Sequence, residues 1–449
     1  MLKAYQFGKP FFIILTNKIK KPIIELNKYY LHKNIITLFL TFFLFANVLG
    51  QNKHGMNKKH PELPLFIETH IFPAENIFNC VLSYKIPYSN VLFVKGNSYY
   101  SSGYTISFEI YEKEKFVKRI YSSNKIVVDN YSETLSENIY SEGVTSLNIT
   151  KGKYIIKPSI ILNNTAIEAR IKPIDLLVDS TQIYAPIFVK DVSQFCDSLK
   201  YQLVNFQNSI PFSDEQYHML IPSFSENEKS IYIEITQQNK SIIKTKINDY
   251  IYLNEKFESC NGKLIINKNS NLPFVKFFRV NLVNQKLDEG DVKLKVEVDS
   301  KNLEFQFQVL WFEKPISLFN IEEAIKHLKI IGLNTKADSL LNYPDEEQYD
   351  VLYNFWAKYD DDTTTAFNSV FTEFYSRIDF VKREFNSLGK KDALETDRGK
   401  TYINYGKPDK IIRTFNEIYD VIEVWEYIEL NEKFYFSDKT GTGKFERMK

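Results

Sequence analysis

With 449 residues, 44% of them apolar and 15% aromatic, and a formal charge of +1, the chain is globular and too long for one ordinary core. That near-neutral balance leaves no electrostatic footprint for nucleic acid. The three cysteines, Cys80, Cys196 and Cys260, are odd in number and widely spaced, which excludes a disulfide framework and a zinc site. They are read as free buried thiols, with a single disulfide left open.

Residues 1–50 read as a targeting segment. Lys18, Lys20, Lys21, Lys28 and Lys33 precede the apolar run "NIITLFLTFFLFANVLG", which ends in small residues. The run is shorter than the roughly 20 residues a spanning helix needs, so it fits an export signal cleaved near Gly50–Gln51, with a retained anchor as the alternative. No cysteine follows it to carry a lipid. Cleavage there removes seven lysines and one glutamate and takes the formal charge from +1 to −5. Residues 51–60 form a polar linker.

From residue 61 the pattern becomes period-two. Tyr104, Ile106, Phe108 and Ile110 share one face of a predicted hairpin, and further strands fall at Ile126–Val128, in "GKYIIKPSIIL" and in "AIEARIKPIDLLV". Short strands between polar turns predict an antiparallel, Ig-like β-sandwich over 61–178 and a second over 179–312. The second closes on the alternating sets Val292, Leu294, Val296, Val298 and Leu303, Phe305, Phe307, Val309, Trp311. Within it, "FCDSLKYQLVNF" is compatible with helix.

Residues 313–449 change character. Asn320 is placed to cap a helix with Glu323 three residues on, and Ile321, Ala324, Ile325, Leu328 and Ile331 recur at helical spacing. A longer helical section, 346–387, is broken by "DDDTTT" and carries an aromatic stripe of Tyr353, Phe355, Trp356, Phe371, Phe374, Tyr375 and Phe380, read as core. The strands "KTYINYG", "VIEVWEYIEL" and "KFYFSD" are then expected, which makes the region an α+β domain.

The order of motifs here resembles the GWxTD-domain proteins of Gram-negative bacterial envelopes. Carrying the resemblance are Phe355-Trp356, Arg377, Thr396-Asp397-Arg398-Gly399, Tyr405-Gly406, Pro408-Asp409, Trp425 and Tyr427, then Asp438 and Gly441. Ala393-Leu394 stands where the family shows glycine and tryptophan. The resemblance implies an exported protein of the periplasm or outer envelope, and it assigns no reaction and no catalytic residue.

Read as chemistry, Thr396 and Asp397 are suited to closing a loop on backbone N–H groups, Gly399 and Gly406 to positive φ, and Pro408 to fixing the chain after a strand Thr401–Tyr405. Asp397, Arg398 and Asp409 also form a candidate charged cluster. Of six histidines only His327 lies in the C-terminal domain, beside the apolar face of a helix, and no histidine has metal-ligand spacing. The run Asp360, Asp361, Asp362 reads as a solvated loop, and "GTGK" at Gly441–Lys444 as a β-turn. No metal or cofactor is expected. The leading expectation is a non-enzymatic module that binds another envelope protein, touching membrane only through an uncleaved N-terminal segment. The alternative is a glycan- or peptide-directed enzyme or ligand binder built on Asp397, Arg398 and Asp409, and a carbohydrate-binding sandwich is a third reading.

Overall fold

The computed structural model describes residues 65–448 apart from short internal segments, the longest being 269–274 and 386–391. The export segment, the linker and Cys196 therefore lie outside the described residues. Among those described, no helix is long and apolar enough to cross a membrane.

The strand-rich part stacks four sheets. A six-stranded sheet is organised around Tyr100–Glu112, which pairs with Lys115–Val128 on one side and Gly152–Leu162 on the other. Tyr104, Ile106, Phe108 and Ile110 are buried, as alternation predicts, against Cys80, Leu82, Tyr84 and Ile86 of a three-stranded sheet formed by Phe66–Ala74, Ile77–Pro87 and Tyr140–Ile149. Cys80 is free, and burial pushes its thiol up to about 12, which leaves it inert.

The far face of the three-stranded sheet meets a seven-stranded one. Phe72 and Val81 pack there against Ile187, Val189, Leu220 and Phe277. Neighbouring side chains on the same strands, Phe188, Met219, Ile221 and Phe278, point the opposite way into a second core. A sheet covered on both faces needs apolar residues without alternation, and His218–Ser223 is buried at every position. Within the segment left open to helix, Ser198–Leu203 is a strand, because pairing with Ile187–Phe195 on one side and Lys263–Lys268 on the other satisfies its backbone. At the edge of this contact Glu142 is buried and joins the two strand-rich regions: it faces Lys85 at 3.4 Å and Lys263 at 3.9 Å, and accepts from the Leu264 amide at 2.9 Å.

The fourth sheet has five strands and is antiparallel except where Ser209–Pro211 runs parallel to Lys301–Leu310. Val292, Leu294, Val296 and Val298 turn inward together, with Phe307, Val309 and Trp311 from the partner strand. This core continues without a break into the C-terminal helices, so the expected boundary at 312 and 313 crosses one packed interior.

Helices follow at Ile321–His327, Asn334–Leu341, Asp345–Trp356, Ser369–Glu384 and Asp397–Tyr405, and then a sheet of Lys410–Phe415, Val421–Tyr427, Glu432–Asp438 and Glu446–Arg447. Asn320 caps the first helix by accepting from the Glu323 amide at 3.1 Å, while the Glu323 side chain turns to Lys326. The aromatic stripe is core: Phe355, Trp356, Phe371, Phe374 and Tyr375 are buried, and the Trp356 ring lies 4.9 Å from that of Phe374.

Candidate functional site

The stretch expected to be a loop and a strand is a helix. Thr396 is its N-cap: the hydroxyl accepts from the Gly399 amide at 3.0 Å and donates to the Ala393 carbonyl at 2.6 Å. Thr401–Tyr405 accordingly continues the helix Asp397–Tyr405 instead of forming a strand. Its short run of tyrosines and isoleucine fits either period, and the cap decides. Gly399 is needed for space and not for positive φ. A Cβ there would stand 2.2 Å from the Ala393 carbonyl oxygen and 3.0 Å from Val381 Cγ1. Ala393 and Leu394, in place of the family's glycine and tryptophan, are both buried against this helix start.

At the other end Gly406 does adopt positive φ, 79°, and a Cβ on it would sit 2.8 Å from the Arg377 guanidinium. Arg377 is buried. Its Nη1 donates to the Ile403 and Asn404 carbonyls at 3.1 and 3.3 Å, and its Nε to Glu373 at 2.7 Å. A cation placed on the last carbonyls of a helix satisfies acceptors that have no partner within the helix. Tyr427 completes this corner by donating to the Gly406 carbonyl at 2.8 Å, and burial raises its pKa far above the usual phenol range. Tyr405 packs on Phe434, Pro408 is buried, and Asp409 closes the hairpin by accepting from the Ile428 amide at 2.7 Å.

A second polar centre surrounds Glu423, which is 2% exposed in its side chain. It accepts from Trp425 Nε1 at 2.6 Å and Arg413 Nε at 2.9 Å, and Arg398 Nη1 lies at 3.5 Å. The Arg398 guanidinium is sandwiched by Phe445 at 4.0 Å and Phe385 at 5.0 Å, and burial holds its pKa below the usual value against the pull of Glu423. Asp397 accepts from the Arg447 amide at 2.8 Å and so ties the helix start to the last strand. Asp438 accepts from the amides of Thr440 and Gly443, which shapes the "GTGK" turn as expected. Burial pushes its pKa up, but these hydrogen bonds outweigh it and hold the carboxyl below its ordinary range.

Asp397, Arg398 and Asp409 do not converge. Arg398 meets the strand Val421–Tyr427 at Glu423, whereas Asp409 meets it beyond Glu426, at Ile428. Those positions are separated by roughly 16 Å of extended chain. The two indoles, Trp356 and Trp425, are buried apart in the helical core and under the sheet. His327 is buried, with Nδ1 lacking a hydrogen-bond partner among the described residues, and burial, aided by Lys382, lowers it to about 4. Asp362 is an exposed turn residue that accepts from Thr364, and Asp361 lies outside the described residues. Among the described residues no three histidine, cysteine or carboxylate side chains gather to hold a metal.

An open concave surface lies elsewhere. A cleft of about 580 Å³ runs where both strand-rich regions meet the helices. Its floor is the mutually edge-on trio Phe212, Trp311 and Phe367, with ring centres 5.2 to 5.9 Å apart. No local signal in the sequence marks it. Trp311 closes an alternating strand in the sequence, but nothing local says that it meets Phe212 and Phe367.

Antiparallel sheets followed by a helical region and a small antiparallel sheet make this a mostly-β protein with an α+β C-terminal part. Residues 298–447 match the family model of the GWxTD domain, so the resemblance carried by the C-terminal motifs is borne out in that region. The match begins ahead of residue 313 and takes in the last strand of the five-stranded sheet, in keeping with the continuous core. No curated protein matches the chain.

Proposed function

We propose that this is an exported protein of a Gram-negative envelope, periplasmic or at the outer membrane, that works by contact with another envelope protein and not by catalysis. In this reading the two strand-rich regions are Ig-like modules that position the GWxTD domain. The observation that carries it is the bonding of the motif: Arg377, Thr396, Asp397, Arg398, Asp409, Trp425, Tyr427 and Asp438 each bond a group within the C-terminal domain, and Asp397, Arg398 and Tyr427 among them fasten the motif helix to its sheet. Side chains so engaged hold a shape, and shape is what a partner surface requires. The alternative, a glycan- or peptide-directed site on Asp397, Arg398 and Asp409, draws no support from their separate positions.

The test is crosslinking in living cells with the full chain carrying a C-terminal tag. A discrete heterocomplex that also forms with purified partner is expected. A chain that stays uncrosslinked while its deletion still produces a phenotype would remove the proposal.

A further inference from the structure

The cleft floored by Phe212, Trp311 and Phe367 has a charge pattern that selects a ligand. Its lining includes Lys85, Lys190 and Lys263, each of which faces a carboxylate: Lys190 pairs with Glu215 at 2.8 Å, and Lys85 and Lys263 share the buried Glu142, which offsets one of their two charges. Among the acids, Asp214 and Glu313 are exposed and have no ion-pair partner among the described residues. Two acids against the one lysine charge that Glu142 leaves over make the net charge of the cleft negative. Tyr217, between these acids, registers the field: burial first, then Glu215, Asp214 and Glu313, push its phenol up to about 12 against the hydrogen bond it shares with Ser213. The volume falls in the range of ligand sites, and an apolar floor with a few polar groups at its rim is their usual make-up.

We propose that the cleft receives an extended cationic segment of a partner protein, with lysine or arginine stems lying on the aromatic floor and their charged heads directed to Asp214 and Glu313. This rests on the reading that the chain works by protein contact. Long basic side chains suit such a surface because the alkyl stem covers apolar area while the head stays polar. The hydroxyls of Ser369 and Ser376 along the helical wall supply hydrogen-bonding groups for an extended backbone, while that of Thr372 donates to the Asn368 carbonyl. A strongly anionic ligand is disfavoured, since the three lysines already face Glu142 and Glu215 and the cleft as a whole is negative.

The experiment uses the full chain and a fluorescein-labelled peptide alternating lysine and leucine, with a second peptide bearing glutamate for lysine, read by anisotropy. The variants are Asp214→Asn/Glu313→Gln, the charge-matched control Glu429→Gln/Glu432→Gln at an exposed turn and the strand start after it, outside the cleft lining, and Ser376→Trp to fill the cleft from an exposed helical position, each checked for native circular dichroism. The lysine peptide is expected to bind wild type and control alike, to bind the double acid variant about tenfold more weakly, and to lose binding in Ser376→Trp. Equal affinity of wild type and the acid variant, equal binding of the glutamate peptide, or binding of neither overturns the proposal. If the peptide result is negative while a partner still crosslinks in cells, the cleft assignment falls and the interaction reading stands.

Discussion

Replacing Gly399 by alanine separates two explanations of the motif. In an ordinary helix interior the change stabilises by about 1 kcal/mol, because glycine has more backbone entropy to lose. Here the new Cβ would lie 2.2 Å from the Ala393 carbonyl oxygen, a backbone atom that cannot rotate away, and 2.9 Å from Thr396 Oγ1. Overpacking of this kind costs about 1 to 3 kcal/mol. Disturbing the Thr396 cap adds about 1 kcal/mol more. The net expectation is a loss of about 1 to 3 kcal/mol, or a fall of roughly 2 to 10 °C in the melting of the C-terminal part. Hydrogen exchange on the amides of Asp397–Tyr405, followed beside thermal melting of the full chain, reads the effect locally. A Gly399→Ala protein as stable as wild type would refute the close-approach argument and with it the account of why this helix starts where it does.

Other substitutions probe the remaining supports. Glu423→Ala strands Arg398 among aromatic rings and is expected to cost about 3 to 5 kcal/mol, whereas Arg413→Ala, whose side chain is 70% exposed, should cost less than about 1 kcal/mol; urea titration of both compares them. Leu394→Trp, which restores the family's ring, adds volume at a buried position and should destabilise by about 1 to 3 kcal/mol in the same titration. His327 gives a pH dependence. Its folded pKa is lowered to about 4 from 6.5, so the unfolded chain binds the extra proton between those values, and the stability present above pH 6.5 is lost as pH falls toward 4. That limb is worth on the order of 3 kcal/mol. His70, also lowered by burial, adds to it in the same direction. Denaturant titrations across this range should show a shallower slope in His327→Leu, and an unchanged slope would contradict the assignment.

The period-two pattern made most of the strand-rich part legible, because burial on one face imposes alternation. It served least for the seven-stranded sheet, which is covered on both sides and reads as apolar runs that fit helix or strand. The Asn320 cap and the aromatic stripe were equally readable, being local or strictly periodic. The motif helix was misread for a physical reason: its nine residues hold two tyrosines, an isoleucine and a glycine, and only the contact of Thr396 with Gly399 and the close approach of Ala393 distinguish helix from turn and strand. Arg377, Gly406 and Tyr427 stand out in the sequence one by one, yet their convergence on one helix end depends on chain crossings that no spacing reveals. The same holds for the cleft, whose three floor rings come from positions 212, 311 and 367.

The central claim is that the motif carboxylates act as hydrogen-bond acceptors that hold the fold and carry no chemistry of their own. Complementation of a chromosomal deletion by the full chain bearing Asp397→Asn/Asp409→Asn tests it most directly, because asparagine keeps an acceptor for the Arg447 and Ile428 amides while removing both charges. The account predicts complementation equal to wild type. A variant that is folded and exported but fails to complement would contradict it and return the function to the charged groups of the motif.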